Sequence, residues 1–125
     1  MRLLPLILLV VCCSASAEWV KVTDSDEANF YIDFSTVRWQ GRIVEFWGLS
    51  NYFAANEGGV VSMRGYEQHD CKNKMYRVLE LSFHSSAWAD GKVIANHSYE
   101  NKPNPWQRIP PQTVIDDIHK YACKK

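Results

Sequence analysis

The 125-residue chain lacks the short motifs that identify most enzymes. It contains no glycine-rich phosphate-binding loop, no G-x-S-x-G nucleophile motif and no H-E-x-x-H zinc motif. No C-x-x-C pair and no regular spacing of Cys and His predicts a metal site. We therefore predict no catalytic residue and no bound metal, and the sequence favours a protein that binds over one that catalyses.

The chain also lacks an excess of charge of either sign. It has 14 Lys and Arg residues and 14 Asp and Glu residues, so its formal net charge at pH 7 is zero. Nucleic acids and anionic membranes are captured by clustered positive charge. We therefore predict no nucleic-acid partner, and we expect a partner that is recognised by shape and by aromatic contact.

A hydrophobic run of about 20 residues, which a transmembrane helix needs, is missing as well. The longest apolar stretch, residues 3–11, follows the basic Arg2 and precedes a short segment of small residues that ends at Ala17. This order is typical of a secretory signal peptide. We predict that residues 1–17 are removed by cleavage between Ala17 and Glu18, and that residues 18–125 form one exported domain without a transmembrane span.

An anchored lipoprotein is the alternative to a cleaved and soluble product. Cys12 or Cys13 would carry the lipid, because both follow the apolar stretch directly. A lipidated cysteine normally follows a small residue, and here the preceding residues are Val11 and Cys12. The sequence therefore favours the cleaved form, located in the periplasm, on the outer-membrane surface or outside the cell.

Cysteine is scarce in the predicted mature domain, which contains only Cys71 and Cys123. Exported proteins meet an oxidising compartment in which disulfides persist, and two cysteines allow one intramolecular pair. A Cys71–Cys123 disulfide is the favoured interpretation. A reactive thiol and a metal ligand remain as alternatives.

Short runs rich in branched and aromatic residues, separated by turn residues, predict six β-strands. Their ranges are 18–23, 30–37, 41–53, 60–71, 74–85 and 91–100. Short connections between these runs predict an antiparallel meander. The alternation is imperfect in the fifth run, because Tyr76 and Val78 are expected to point away from the face of Leu79, Leu81 and Phe83.

The segment after Pro110 and Pro111 is the clearest helix. Thr113 is expected to cap its first turn, with Asp116 completing a T-x-x-D pattern. An apolar stripe is expected along one helix face, formed by Val114, Ile115, Ile118, Tyr121 and Ala122. The predicted fold class is α+β, with about six antiparallel strands and a C-terminal helix.

Several segments in this order resemble the surface-adhesin protein E family of Gram-negative bacteria. They are "FYIDFSTV", "HDCKNKMYRVLEL", the linker "PWQRIPPQTV" and the terminal "YACKK". The resemblance covers essentially all of residues 18–125. It implies a six-stranded sheet with a C-terminal helix tied to it by the Cys71–Cys123 disulfide, in an envelope or secreted protein. The named family member is an adhesin for host matrix proteins and a haem binder, so haem is a possible cofactor by resemblance.

The candidate binding residues are tryptophans and histidines. Trp88 is expected to be exposed, because its neighbours are typical of turns. His69 and His97 are the best histidine candidates for a ligand such as haem. Trp19, Trp39 and Trp47 are expected to pack in the core, and a structural linker is predicted around Trp106, Ile109, Pro110 and Pro111.

Our first functional hypothesis is a non-enzymatic, adhesin-like binding module of the bacterial envelope, with a host or envelope protein as its partner. A small periplasmic enzyme or an enzyme inhibitor, built from polar groups on separate strands, is the alternative. A haem-binding protein is a further alternative. The edge strands of an open sheet can pair between copies, so a homodimer is also possible.

Overall fold

The computed structural model describes residues 2–5, 7, 17–99, 101–102 and 104–125. Most of the predicted signal peptide, with Cys12 and Cys13, lies outside the described residues, so cleavage and lipidation remain predictions. Within the described part of the chain, no helix combines the length and the apolar character that crossing a membrane requires.

One antiparallel sheet contains all seven strands formed by the described residues. The strands are β1 (Trp19–Asp24), β2 (Ala28–Gln40), β3 (Ile43–Tyr52), β4 (Ser62–Asp70), β5 (Met75–His84), β6 (Val93–Ser98) and β7 (Gln107–Arg108). Strands β1 to β6 follow chain order, which confirms the predicted meander. The additional strand β7 contains two residues, too few to show an alternating pattern, and pairs with Met75 and Tyr76 at the start of β5.

The helix α1 (Val114–Ala122) begins as the sequence predicts. The Thr113 hydroxyl accepts a hydrogen bond from the Asp116 backbone N–H at 3.2 Å. Asp116 in turn accepts one from the Gln112 N–H at 3.1 Å. The first hydrogen bond satisfies a backbone donor that the first helical turn would otherwise leave free, and the second satisfies the N–H of the residue before the cap.

Helix α1 packs on β1 and β2 and closes a core on one side of the sheet. The buried residues of this core are Val22, Ile32, Val44, Phe46, Ile118 and Ala122. Tyr121, which we expected in the apolar stripe, is 42% exposed. His119 is buried in its place because its ring contacts the ring of His69 on β4.

A disulfide joins Cys71, directly after β4, to Cys123, directly after α1. The Cα atoms are 5.7 Å apart, and the bond closes a loop with a sequence separation of 52 residues. This finding confirms the predicted pairing. The chain-entropy model gives a stabilisation of about 4 kcal/mol for a loop of this length.

A β-bulge in β5 explains the imperfect alternation seen in the sequence. Tyr66 pairs with Glu80 and Glu67 pairs with Val78, so Leu79 is the extra residue. The extra residue shifts the side-chain alternation by one position. Val78 and Leu81 therefore face the same side of the sheet, and the expectation that they point apart is wrong.

Candidate functional site

The sheet side opposite helix α1 is the candidate site, and we call it the open face. Cross-strand partners share a face of a sheet, so the register gives two rows of residues across it. One row contains Tyr31, Leu49, Arg64, Ser82 and Asn96. The next row contains Asp33, Trp47, Tyr66, Glu80 and Ser98.

An arginine and two aromatic rings stack at the centre of the open face. The guanidinium carbon of Arg64 lies 3.9 Å from the centre of the Trp47 ring. The ring of Tyr66 follows, with its centre 4.9 Å from that of Trp47. All three side chains are partly exposed. The planes of the two rings are tilted by 49°. Aromatic rings in contact and a guanidinium over one of them hold one another in place, so this cluster, which we call the central stack, is preorganised for contact with a partner.

A second group of contacts extends the open face toward the linker. Gln68 donates to Glu45 at 3.0 Å and accepts from Arg77 Nε at 2.8 Å. The guanidinium carbon of Arg77 lies 4.4 Å from the ring centre of Trp106. The side chains therefore form a continuous polar and aromatic row across β3, β4, β5 and the linker.

Two hollows lie on either side of the central stack. One has a volume of about 370 Å³ and includes Arg64, Ser82 and Asn96 in its lining. The other has a volume of about 410 Å³ and includes Thr36 and Tyr66 in its lining. Trp47 and Glu80 line both hollows, so they form the ridge between them. The open face is grooved, with an aromatic ridge between two polar depressions.

Burial changes the protonation of two groups on the open face. Burial, together with the hydrogen bond and charge of Glu45, raises the pKa of Tyr66 to about 12. Burial also lowers the pKa of His84, with a further contribution from the Arg64 charge. Tyr66 is therefore a neutral phenol and His84 a neutral imidazole near pH 7.

Two buried side-chain nitrogens near the ridge have no hydrogen-bond partner within the described part of the chain. They are Arg64 Nε and His84 Nδ1. A buried donor without a partner costs free energy of roughly 1–3 kcal/mol. Arg64 therefore has hydrogen-bonding capacity that the described residues do not use.

Trp88, predicted to be exposed, is 47% exposed and lies at one end of the open face. Its ring meets the Tyr31 ring edge-on, with centres 4.8 Å apart. The residue adopts a left-handed φ of 65°, which is uncommon for a side chain of this size. A hydrogen bond from the Trp88 N–H to the Asn51 side chain at 2.9 Å holds this conformation.

The two histidine candidates lie apart from Trp88, on the helix side of the sheet. His69 is fully buried. Its Nδ1 forms a hydrogen bond with Nδ1 of His119 at 2.9 Å, and its Nε2 forms one with Oε1 of Glu67 at 3.2 Å. His97 is exposed on β6, with its ring centre 6.2 Å from that of Phe83. The structure does not bring His69, His97 and Trp88 together into one site.

The predicted linker residues occupy the end of the sheet near β7. Trp106 contacts Arg77, and the backbone N–H of Ile109 donates to the Lys74 carbonyl at 3.1 Å. Ile109 is buried, whereas Pro110 and Pro111 are exposed just before the helix. The linker therefore runs along the outer edge of β5 and leads into α1.

The sequence did not reveal the central stack. Trp47, expected in the core, is half-buried on the open face because it lies between Phe46 and Gly48, which face the helix side. Tyr66 and Arg64 received no role, because their pattern resembles that of any exposed strand face. The available signal lies within each strand: Trp47 directly follows the buried Phe46 on β3, and Arg64 and Tyr66 flank the buried Gly65 on β4, so all three face away from these residues.

No group of three or more His, Cys, Asp or Glu residues within the described ranges is arranged to hold a metal ion. The buried histidine pair is held in the core by Glu67 and by the helix. His119 lies 3.6 Å from Cys123 Sγ, beside the disulfide. Burial, together with the charge of His69, lowers the pKa of His119 to about 4, so this imidazole is neutral near pH 7.

Solved structures with the same fold come from Haemophilus influenzae. One structure of its protein E matches with a TM-score of 0.60 and 17% sequence identity, covering 86% of this chain and 85% of that chain. Protein E from non-typeable Haemophilus influenzae matches with a TM-score of 0.59 and 16% identity, covering 89% and 78%. These similarities show a shared fold.

No curated protein sequence matches this chain significantly. The family model for surface-adhesin protein E, in contrast, matches residues 19–124, which include every strand, the linker and the helix. The match spans well over half of the chain and confirms the resemblance seen in the sequence. The chain therefore belongs to the surface-adhesin protein E family.

Proposed function

We propose that this chain is an exported, non-enzymatic binding module of the bacterial envelope, and that it binds a protein partner through the open face. The observation that carries the proposal is the cluster of Arg64, Trp47 and Tyr66 on the sheet side that helix α1 does not cover. Tryptophan, tyrosine and arginine are the residues most enriched in the energetic centres of protein interfaces.

The surroundings of the stack also favour a protein partner. The two hollows beside the ridge can accept side chains of a partner. Arg64 lines one of them, where the terminal N–H groups of its guanidinium can donate to a carbonyl or carboxylate of a bound segment. Membership of a surface-adhesin family is consistent with this assignment.

A capture experiment tests the assignment. Oxidised protein is immobilised and exposed to bacterial envelope and host-matrix extracts, and the retained proteins are identified by mass spectrometry. The double variant Trp47→Ser, Arg64→Ala should lose the captured partner. Tyr121→Ser, which changes an exposed aromatic residue on the helix, should retain it. Equal capture by both variants would exclude the open face as the binding surface.

The exported location is proposed on the sequence of the leader. Mass spectrometry of protein purified from the envelope fraction should give a chain that begins at Glu18. A chain that retains Arg2, or a lipid-modified Cys12 or Cys13, would contradict cleavage after Ala17.

Haem binding is a second candidate function, favoured by the exposed ring of His97 beside Phe83. Titration with haem should then shift the Soret band, and His97→Ala should abolish the shift. An identical Soret shift in that variant, or no shift in the natural protein, would exclude His97 as a haem ligand.

Dimerisation is proposed through the edge of β1, because this strand pairs only with β2 among the described strands. Sedimentation should then give a dimer. Asp24→Pro removes a backbone donor that points away from β2, because the next N–H along the strand, that of Ser25, donates to Ala28. This variant should weaken the dimer if the β1 edge forms the interface.

A further inference from the structure

A groove lies between helix α1 and the sheet, on the side opposite the open face. Helix α1 packs mainly on β1 and β2, so the neighbouring part of β3, β4 and β5 is only partly covered. The groove has a volume of about 330 Å³. Its walls are apolar and include Val114, Ile115 and Ile118 from the helix and Met63, Val78 and Leu81 from the sheet.

Two glycines form the floor of the groove. Gly48 on β3 pairs directly with Gly65 on β4, so two adjacent strands carry no side chain at this point. A Cβ atom at Gly48 would lie 2.7 Å from Glu67 Oε2, and one at Gly65 would lie 3.2 Å from the Leu81 side chain. The groove is therefore deep because side chains are absent from its floor.

Glu67 is the charged residue in this apolar lining. Its Oε1 lies 3.2 Å from Nε2 of the buried His69, which fixes the carboxylate against the sheet. Its Oε2 accepts no hydrogen bond from the described residues and lies beside the floor at Gly48. A carboxylate oxygen in apolar surroundings is stabilised by a hydrogen-bond donor, most strongly by a charged one.

We propose that this groove binds a small apolar primary amine, with the ammonium group on Glu67 Oε2 and the apolar part between the helix and Leu81. An apolar cavity of about 150 Å³ is enough to hold a benzene ring. The groove has about twice that volume and so accommodates a ring with a short alkylamine chain. The proposal does not depend on the open face, which lies on the other side of the sheet.

Three compounds of similar size test the charge requirement. Phenylethylamine, phenylethanol and phenylacetate are titrated into the oxidised protein, and amide chemical shifts are followed by NMR. The amine should shift resonances of Gly48, Gly65 and Glu67 in a saturable manner. The neutral alcohol should bind at least about tenfold more weakly, because it lacks the positive charge that pairs with the Glu67 carboxylate. The anion should not bind.

Two pairs of variants test the site itself. Glu67→Gln should weaken amine binding about tenfold or more, whereas Glu57→Gln, in an exposed loop, should leave it unchanged. Gly65→Ala should block binding by filling the floor. Gly58→Ala is its control, because a Cβ there has only the Asn56 side chain near it, at 3.4 Å.

Several results would overturn the proposal. Equal binding of amine and alcohol would remove the role of Glu67, as would full affinity in Glu67→Gln. Unchanged affinity in a folded Gly65→Ala variant would place the ligand elsewhere. Shifts at groove residues that depend on protein concentration but not on the amine would show that a second copy of the chain fills the groove.

Discussion

The two sides of the sheet are built from alternate residues of the same strands, yet they differ in kind. On β3 and β4 the open face carries Trp47, Arg64 and Tyr66, whereas the helix side carries Gly48 and Gly65 between them. One side presents its largest side chains to solvent. The other side lacks side chains at its centre and is partly covered by helix α1.

The proposed function assigns a different role to each side of the sheet: the helix side stabilises the fold, and the open face binds the partner. The helix side is held by the buried core, the capped helix and a disulfide. The open face is held by partly exposed stacking contacts, each worth about 0.5–1 kcal/mol. We expect changes on the helix side to act mainly on the free energy of unfolding, and changes on the open face mainly on binding.

Breaking the disulfide should have the largest effect. Reduction, or the double variant Cys71→Ser, Cys123→Ser, should lower the free energy of unfolding by about 4 kcal/mol, because the loop that it closes is long. Urea titration of the oxidised and reduced protein measures the difference.

Hydrogen exchange locates the effect within the molecule. After reduction, amides of helix α1 should exchange faster than those of β3 and β4, because the helix loses its covalent tie to the sheet whereas the strands keep their cross-strand pairing. Equal acceleration of exchange in the helix and the central strands would show that the disulfide stabilises both to the same extent.

Acid should destabilise the helix side next. The pKa of His119 is lowered from 6.5 to about 4 by burial and by His69, so the unfolded chain binds the proton more strongly. The stabilisation is complete above pH 6.5 and is lost as the pH falls toward 4. Between pH 7 and pH 5 we expect a loss of about 2 kcal/mol in the free energy of unfolding.

Urea titrations between pH 7 and pH 5 measure how the free energy of unfolding changes with pH. His119→Gln should flatten this dependence, leaving the smaller contribution of the same sign from the buried His84, whose pKa is also lowered. His97→Gln, an exposed change on β6, is the matched control. If His119→Gln shows the same pH dependence of unfolding as the natural protein, the proposed contribution of His119 is contradicted.

Removing the helix cap should have a smaller effect. Thr113→Ala deletes the acceptor of the Asp116 N–H bond and should cost about 1 kcal/mol. Thr113→Ser retains the hydroxyl and should lie close to the natural protein. Thermal unfolding of the two variants gives the comparison, and equal losses would show that the methyl group, and not the cap, matters.

The smallest change in stability is expected on the open face. Arg64→Lys keeps the charge but removes the planar group that stacks on Trp47, so it should cost about 0.5 kcal/mol or less. Partner capture should nevertheless fall markedly. A large loss of stability with unchanged capture would reverse the assignment of the two sides.

The strand pattern and the helix signals predicted most of the fold. Branched and aromatic runs gave six strands, and Thr113 with Asp116 marked the start of the helix. The Cys71–Cys123 disulfide followed from cysteine scarcity in an exported chain. These features depend on local sequence or on simple pairing, so the residues alone contain them.

The site was harder to predict because it depends on which side each residue faces. The bulge at Leu79 reverses the alternation within β5, and no single residue marks it in the sequence. His69 resembled a ligand by its type, but helix packing places it against His119 in the core. Such facts arise from contacts distant in sequence, which composition and spacing do not encode.

The disulfide also determines how the molecule responds to proteases. The covalent loop from Cys71 to Cys123 contains β5, β6, β7 and the helix, and the exposed Lys92 lies within it. A single tryptic cut after Lys92 would leave the two fragments attached through sulfur. Nicked protein should therefore migrate as one band without reductant and as two bands with it, which would help a surface molecule to survive limited digestion.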